Sequence, residues 1–213
     1  MSCTFDLDHY REVLDAIDAG GYRYAFFDRE PQRGDVLLRH DVDMSLDAAL
    51  TMSTLEAERG VRATYFLMRE SEFYNLESVS GRATLARLRE QGHRVGLHAI
   101  HPCAAFDDRF DRVLAWHTPD PAYMSEPVAG AVNAMQPGYF DPAHYRSDSN
   151  QHWRSGCPHE ELARGELDWL QLLVHPEIWV YPGSTMRETM HAQLDAERER
   201  RLRQLAENRI DLS

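Results

Sequence analysis

The chain has 213 residues, 43% of them hydrophobic and 27% charged, which fits one soluble globular domain with room for a sizeable core. A formal net charge of -12 argues against nucleic acid and anionic membrane surfaces as partners, since both reward a positive patch. No apolar run approaches the roughly 20 residues of a membrane span, and the polar stretch from Thr4 to Asp8 is unlike a secretory apolar region. A cytoplasmic protein without a membrane span is therefore expected.

A first helix is predicted from an Asp8 cap to about Asp18, with Val13, Leu14 and Ile17 on one face and Gly20-Gly21 closing it. Tyr22 to Phe27 reads as a short strand, and Val36 to His40 as a buried one. Ser45 caps a helix from Leu46 to Arg59, closed by Gly60. Val61 to Met68 is rich in strand formers, Arg82 to Gln91 reads as a helix, and Val95 to His98 as a strand. This alternation of strand and helix is the rhythm of a parallel sheet or barrel. Val113 to Trp116 gives a further strand. Residues 118–158 are rich in Pro, Gly and aromatics and show no regular period; a connection of that length is functional or hides an element. Val128 to Met135 can form either helix or strand. A short helix over Pro158–Gly165 and a strand over Leu170–Val174 follow. From Ser184 to about Glu207 the pattern is helical, with a narrow apolar seam of Met190, Leu194, Leu202 and Leu205.

The cysteines are Cys3, Cys103 and Cys157, widely separated and without a Cys-x-x-Cys pair, so neither a disulfide framework nor a cysteine zinc site is expected. The 11 histidines are more informative. Four predicted strands run into Asp41 and Asp43, His98, His117 and His175. If the strands are parallel, those ends share one rim, where α/β proteins place their chemistry. Asp41 and Asp43 are two apart on an extended chain, so both carboxylates share a face while His40 points away and is read as structural. His93, at the start of its strand, is read as a surface residue. Imidazole and carboxylate are the nitrogen and oxygen ligands that suit zinc and similar ions, and one Asp with two His leaves positions open for water and substrate.

Arg39-His40-Asp41-Val42-Asp43, Ala63-Thr64-Tyr65-Phe66-Leu67 and Gly92-His93-Arg94-Val95-Gly96-Leu97-His98, in this order, resemble the motifs of the polysaccharide deacetylase (NodB-homology) family. Leu173-Val174-His175 is similar to that family's late Leu-x-His motif. The Asp-x-Asp pattern and the His175-Pro176 pair are similar to divergent members of surface-glycan (capsule or O-antigen) biosynthesis. The resemblance implies an α/β fold, a distorted (β/α)7-type barrel that can be incomplete, filling residues 1–213 as one domain with a C-terminal helix. It implies a metal-dependent hydrolase that removes an acetyl group from a sugar or glycan precursor. Asp41 would be the general base and His175 the general acid, with Asp43 and His98 as ligands of one divalent ion, zinc before cobalt, nickel, iron or manganese. The family's second motif has two histidines four apart, whereas His98 and His101 are three apart here. His101 is preferred as third ligand, His117 competes for that place, and otherwise His117 belongs with the substrate-binding candidates Arg146, Asp148 and Trp153. No Arg-x-Pro-x-Tyr motif is found; Arg146 or Asp148 can instead tune Asp41 or bind sugar hydroxyls, and Trp153 can stack on a sugar. Homo-oligomerisation stays open. Two other readings remain: hydrolysis of another C–N bond, as in a cyclic imide or ureide, and a non-catalytic protein that binds a glycan or a partner.

Overall fold

The computed structural model describes residues 3–101, 106–118 and 120–210; Cys103 lies outside them. In chain order the elements are α1 (Leu7–Ala19), β1 (Arg23–Tyr24), β2 (Asp35–Val42), α2 (Leu46–Glu58), β3 (Thr64–Leu67), α3 (Val79–Glu90), β4 (Arg94–Ala99), β5 (Val113–Trp116), β6 (Val132–Asn133), a 3-10 turn (Pro142–His144), β7 (Tyr145–Ser147), α4 (His159–Ala163), β8 (Trp169–Val174), α5 (Pro176–Val180) and α6 (Met186–Glu207). Strands pair in the order β6-β5-β4-β3-β2-β8-β7, with β1 added beside β2, and every pairing is parallel. The sheet curls into a half-barrel whose edges, β6 and β7, do not pair with each other. The fold is thus α/β and consistent with an incomplete barrel.

Strand alternation sorts the chain into two cores. Val36, Leu38 and Val42 of β2, Leu97 of β4, and Leu170, Leu172 and Val174 of β8 face outward and pack with Leu14, Ile17, Met52 and Leu88 of the helices. Leu37, Phe66, Val113 and Ala115 point inward and fill the floor of the half-barrel with Phe27 and Tyr139. Gly96, also on that face, leaves the space Phe66 needs: a Cβ there would stand 2.5 Å from the Phe66 ring. The same parity aims Arg39, Asp41, His98, His117 and His175 into the hollow above this floor.

Several sequence expectations shift. Asp6, not Asp8, caps α1, accepting from the His9 amide at 2.8 Å. Ser45 caps α2 as expected, and Ser78 starts α3 earlier than predicted. The strands expected over Tyr22–Phe27 and Val61–Met68 shrink to β1 and β3; in β3 the ladder with β2 begins only at Thr64 opposite Arg39. The middle stretch hides β6, the 3-10 turn and β7, each too short to show a period. The apolar seam of the last helix is not its packed face. Thr189 and Gln193 are buried, while Leu194 and Leu205 are exposed, because Thr189 donates to Gln151 (3.1 Å) and Arg200 reaches Asp47 (3.1 Å), and these contacts set the rotation. His93 is buried, not on the surface: it accepts from the Ala63 amide (3.2 Å) and faces the Ser53 carbonyl (3.2 Å).

Candidate metal centre

β2 carries the first layer. Arg39 and Asp41 are same-face neighbours, and the guanidinium grips both oxygens, Nε to Oδ1 at 2.8 Å and Nη2 to Oδ2 at 2.7 Å. Arg39 is itself fixed: Nη1 donates to Gln171 Oε1 at 3.1 Å, and the Gln171 amide donates to the carbonyls of Ala134 and Tyr139. Burial alone would raise the Asp41 carboxyl, but Arg39, then His98 and His175, hold it below the usual carboxylate range. The Tyr74 hydroxyl, which the sequence does not announce, ties the ends of β2 and β3 together. It donates to the Val42 carbonyl and accepts from the Met68 amide, both at 2.7 Å.

Asp43 follows β2, and its Oδ1 faces two imidazoles, His98 Nε2 at 3.0 Å and His117 Nδ1 at 3.2 Å, which are 3.3 Å apart. His98 sits on β4 with Nδ1 3.1 Å from the Ala115 carbonyl. Donating there leaves Nε2 as a lone pair aimed at a carboxylate oxygen, an arrangement only a proton or a cation can hold together. Asp43 Oδ1 is buried without a hydrogen bond of good geometry. Nitrogen and oxygen donors about 2.0–2.1 Å from a tetrahedral ion stand about 3.3 Å from each other, which these three spacings approach. Asp43, His98 and His117 could therefore hold a divalent ion. Burial opposes ionisation of Asp43, yet His117 and His98 keep its carboxyl far below the ordinary range; the close polar contact with Asp43, and then its charge, in turn raise His117.

Opposite this group, His175 follows β8, with Nε2 4.0 Å from Asp43 Oδ2. Asp148 holds the ring: its Oδ1 accepts from Nδ1 at 2.6 Å, and its Oδ2 accepts from the His175 amide at 2.9 Å and from Trp179 Nε1 at 2.6 Å. Burial lowers the His175 pKa, but Asp148, with Asp43 and Asp41, raises it to about 10, so the ring is protonated at neutral pH.

Comparison of the chain with family models, curated proteins and solved structures returns no match. The site must be read from its own residues.

These residues line a cavity of about 630 Å3 at the carboxyl ends of the strands. A larger groove of about 1010 Å3 over α2, α3 and α6 carries scattered charges such as Asp47, Arg87 and Glu90, with no histidine among its lining residues. Of the sequence candidates, the structure brings together Asp41, Asp43, His98, His117 and His175. His101 falls outside: it is exposed on the bend after β4, where the strand alternation ends, and the group that could hold an ion contains His117 instead. Asp148 is not a cavity contact; it is fully buried behind His175. Arg146 does not reach Asp41. It pairs with Glu161 at 2.9 Å and donates to the Ala143 and Tyr145 carbonyls, so the task of tuning Asp41 falls to Arg39. Trp153 lines the cavity but packs as a core residue, stacked on Phe5 with centroids 6.0 Å apart. Glu177, two positions beyond His175, has no motif to mark it in the sequence. It lines the cavity fully buried, its Oε2 lacks a partner, and burial pushes its pKa up to about 8. Of the eleven buried side-chain polar atoms among the described residues that lack a hydrogen bond of good geometry, five belong to residues lining this cavity: Asp43, Trp116, Arg146, Trp153 and Glu177.

Proposed function

We propose that this cavity is the active site of a metal-dependent hydrolase that removes an acetyl group from a sugar or glycan precursor. The observation that carries the reading is the pairing of an incomplete ligand set, Asp43, His98 and His117, with an ionised acid on one side and a protonated imidazole on the other. The motif resemblance to polysaccharide deacetylases points the same way.

A divalent ion bound by Asp43, His98 and His117 would polarise the acyl carbonyl and lower the pKa of a nearby water. Asp41 takes the proton that this water loses as its oxygen bonds to the acyl carbon. Arg39 keeps Asp41 ionised and leaves a lone pair on each of its oxygens free to accept. As the C–N bond breaks, His175 delivers a proton from Nε2 to the leaving nitrogen. Asp148 fixes the tautomer and tilt of that ring. The products are acetate and a free amine.

Zinc-loaded protein should release acetate from a nucleotide-linked N-acetylhexosamine, and Asp41→Asn should lower the rate roughly 10²–10⁴-fold while metal content stays constant. A metal-bearing protein that opens cyclic imides but releases no acetate would transfer the site to other C–N hydrolysis. Protein that binds ligand at this cavity but takes up no metal there would make it a non-catalytic binder.

A further inference from the structure

A second convergence of ligand atoms lies at the N-terminal end of α1 and shares no residue with the cavity lining. Cys3 comes from the segment before α1, His9 from its first turns, and Cys157 and His159 from the loop and start of α4. His9 Nε2 is 3.3 Å from Cys157 Sγ, His159 Nδ1 is 3.2 Å from Cys157 Sγ, and Cys3 Sγ is 3.7 Å from His159 Nδ1. Sulfur and nitrogen donors of a tetrahedral zinc, about 2.3 and 2.0 Å from the ion, stand about 3.5 Å from one another. All four atoms lie within 4.8 Å of each other, and the two imidazoles meet edge to face at 81°.

The outer shell fits as well. His9 Nδ1 donates to Glu12 Oε2 at 2.7 Å, which leaves the Nε2 lone pair directed at sulfur, the carboxylate–histidine arrangement of metal ligands. His159 turns Nδ1 toward the two sulfurs, and its Nε2 lies 4.0 Å from Glu160. Neither cysteine is in a disulfide, so each sulfur is available as a thiolate ligand beside the two imidazole lone pairs. Counting cysteines along the chain misses the group because each half is a Cys–His pair, Cys3 with His9 and Cys157 with His159, brought together only when α1 packs on α4.

We propose that Cys3, His9, Cys157 and His159 form a structural site for zinc or a similar divalent ion, closed by four protein ligands and independent of the cavity. The ion ties the segment before α1 to the start of α4. It also backs the active side, because His9 and Phe5 pack on Trp179, the residue that donates to Asp148.

The test uses full-length protein carrying Cys103→Ser, so that only these two thiols remain, and Asp43→Ala, so that the cavity site is disabled. Loaded with cobalt, it should bind one ion per chain and show thiolate-to-cobalt charge-transfer absorption, weakened in Cys157→Ser and lost when Cys3→Ser is added. In the zinc-loaded Cys103→Ser protein, both thiols should resist a thiol reagent and become reactive on chelation, a readout that needs no ligand variant to fold. Cobalt without a thiolate band, thiols that react equally fast loaded or stripped, or a Cys3–Cys157 disulfide in protein purified under reductant would each overturn the proposal.

Discussion

Two carboxylates, each flanked by two histidines, sit on opposite faces of the same sheet and do opposite things. Glu56 of α2 meets His40 Nε2 at 2.6 Å and the Tyr10 hydroxyl through one oxygen. Its other oxygen accepts from Tyr65 at 2.7 Å, with His93 3.8 Å away. Both oxygens are satisfied, and Glu56 is absent from the cavity walls. Asp43 faces His98 and His117 across similar distances, but its Oδ1 is unsatisfied and its side chain lines a cavity. A carboxylate–histidine cluster is therefore structural when its own partners complete it, and a candidate for chemistry when something is still needed. His40 and Asp41, adjacent on β2, are divided between the two clusters by strand alternation alone.

The comparison breaks most visibly on truncation. Asp43→Ala should abolish metal uptake at the cavity while leaving the melting temperature of chelated protein nearly unchanged. Glu56→Ala should do the reverse: about 3–5 kcal/mol of stability lost in chemical denaturation, since His40 is left without its partner, and cavity metal retained in whatever remains folded. If Glu56→Ala instead cost metal, the two clusters would not be separate.

Acid sharpens the contrast. Burial raises Glu56, but His40 and His93 bring its pKa below the ordinary 4.5, while burial lowers His93 from 6.5. In both cases the folded protein binds protons less readily than the unfolded chain. Their stabilisation is complete above the unfolded values and is lost as pH falls through the folded ones. Melting temperature should decline below about pH 6.5 and more steeply below about pH 4.5. Glu56→Gln should flatten the lower part.

The smallest effect concerns His175. Its pKa is raised to about 10, so its acid form is present throughout the neutral range and disappears as pH rises through that value. Asp148→Asn removes the nearest charge that raises it. The alkaline limb of kcat should then move to lower pH, with KM little affected; an unmoved limb would separate His175 from the proton delivery.

How much of this the sequence carries depends on the length of the element. β2, β4, β5 and β8 are long or apolar enough to reveal themselves, and the strand pattern alone lines up the residues that end them, Asp41, Asp43, His98, His117 and His175, on one rim. It does not decide between His101 and His117, because His101 is close to His98 in sequence whereas His117 arrives through the pairing of β4 with β5. Arg39 is legible in principle, two positions before Asp41 on one strand face, yet the family pattern places its arginine in the middle of the chain and so points to Arg146. Asp148 shows the same limit. Its place behind His175 depends on β7 pairing with β8, and β7 is three residues long. Among the described residues no helix is long and apolar enough to cross a bilayer, as the sequence composition leads one to expect.

The most direct test of the cavity as a metal centre is anomalous diffraction at the zinc edge from crystals of zinc-loaded protein. A peak bonded to Asp43 Oδ1, His98 Nε2 and His117 Nδ1, with a coordination position open toward His175, is the result predicted. Density at the second cluster alone, or a cavity ion that ignores His117, would contradict the ligand set on which the proposed chemistry rests.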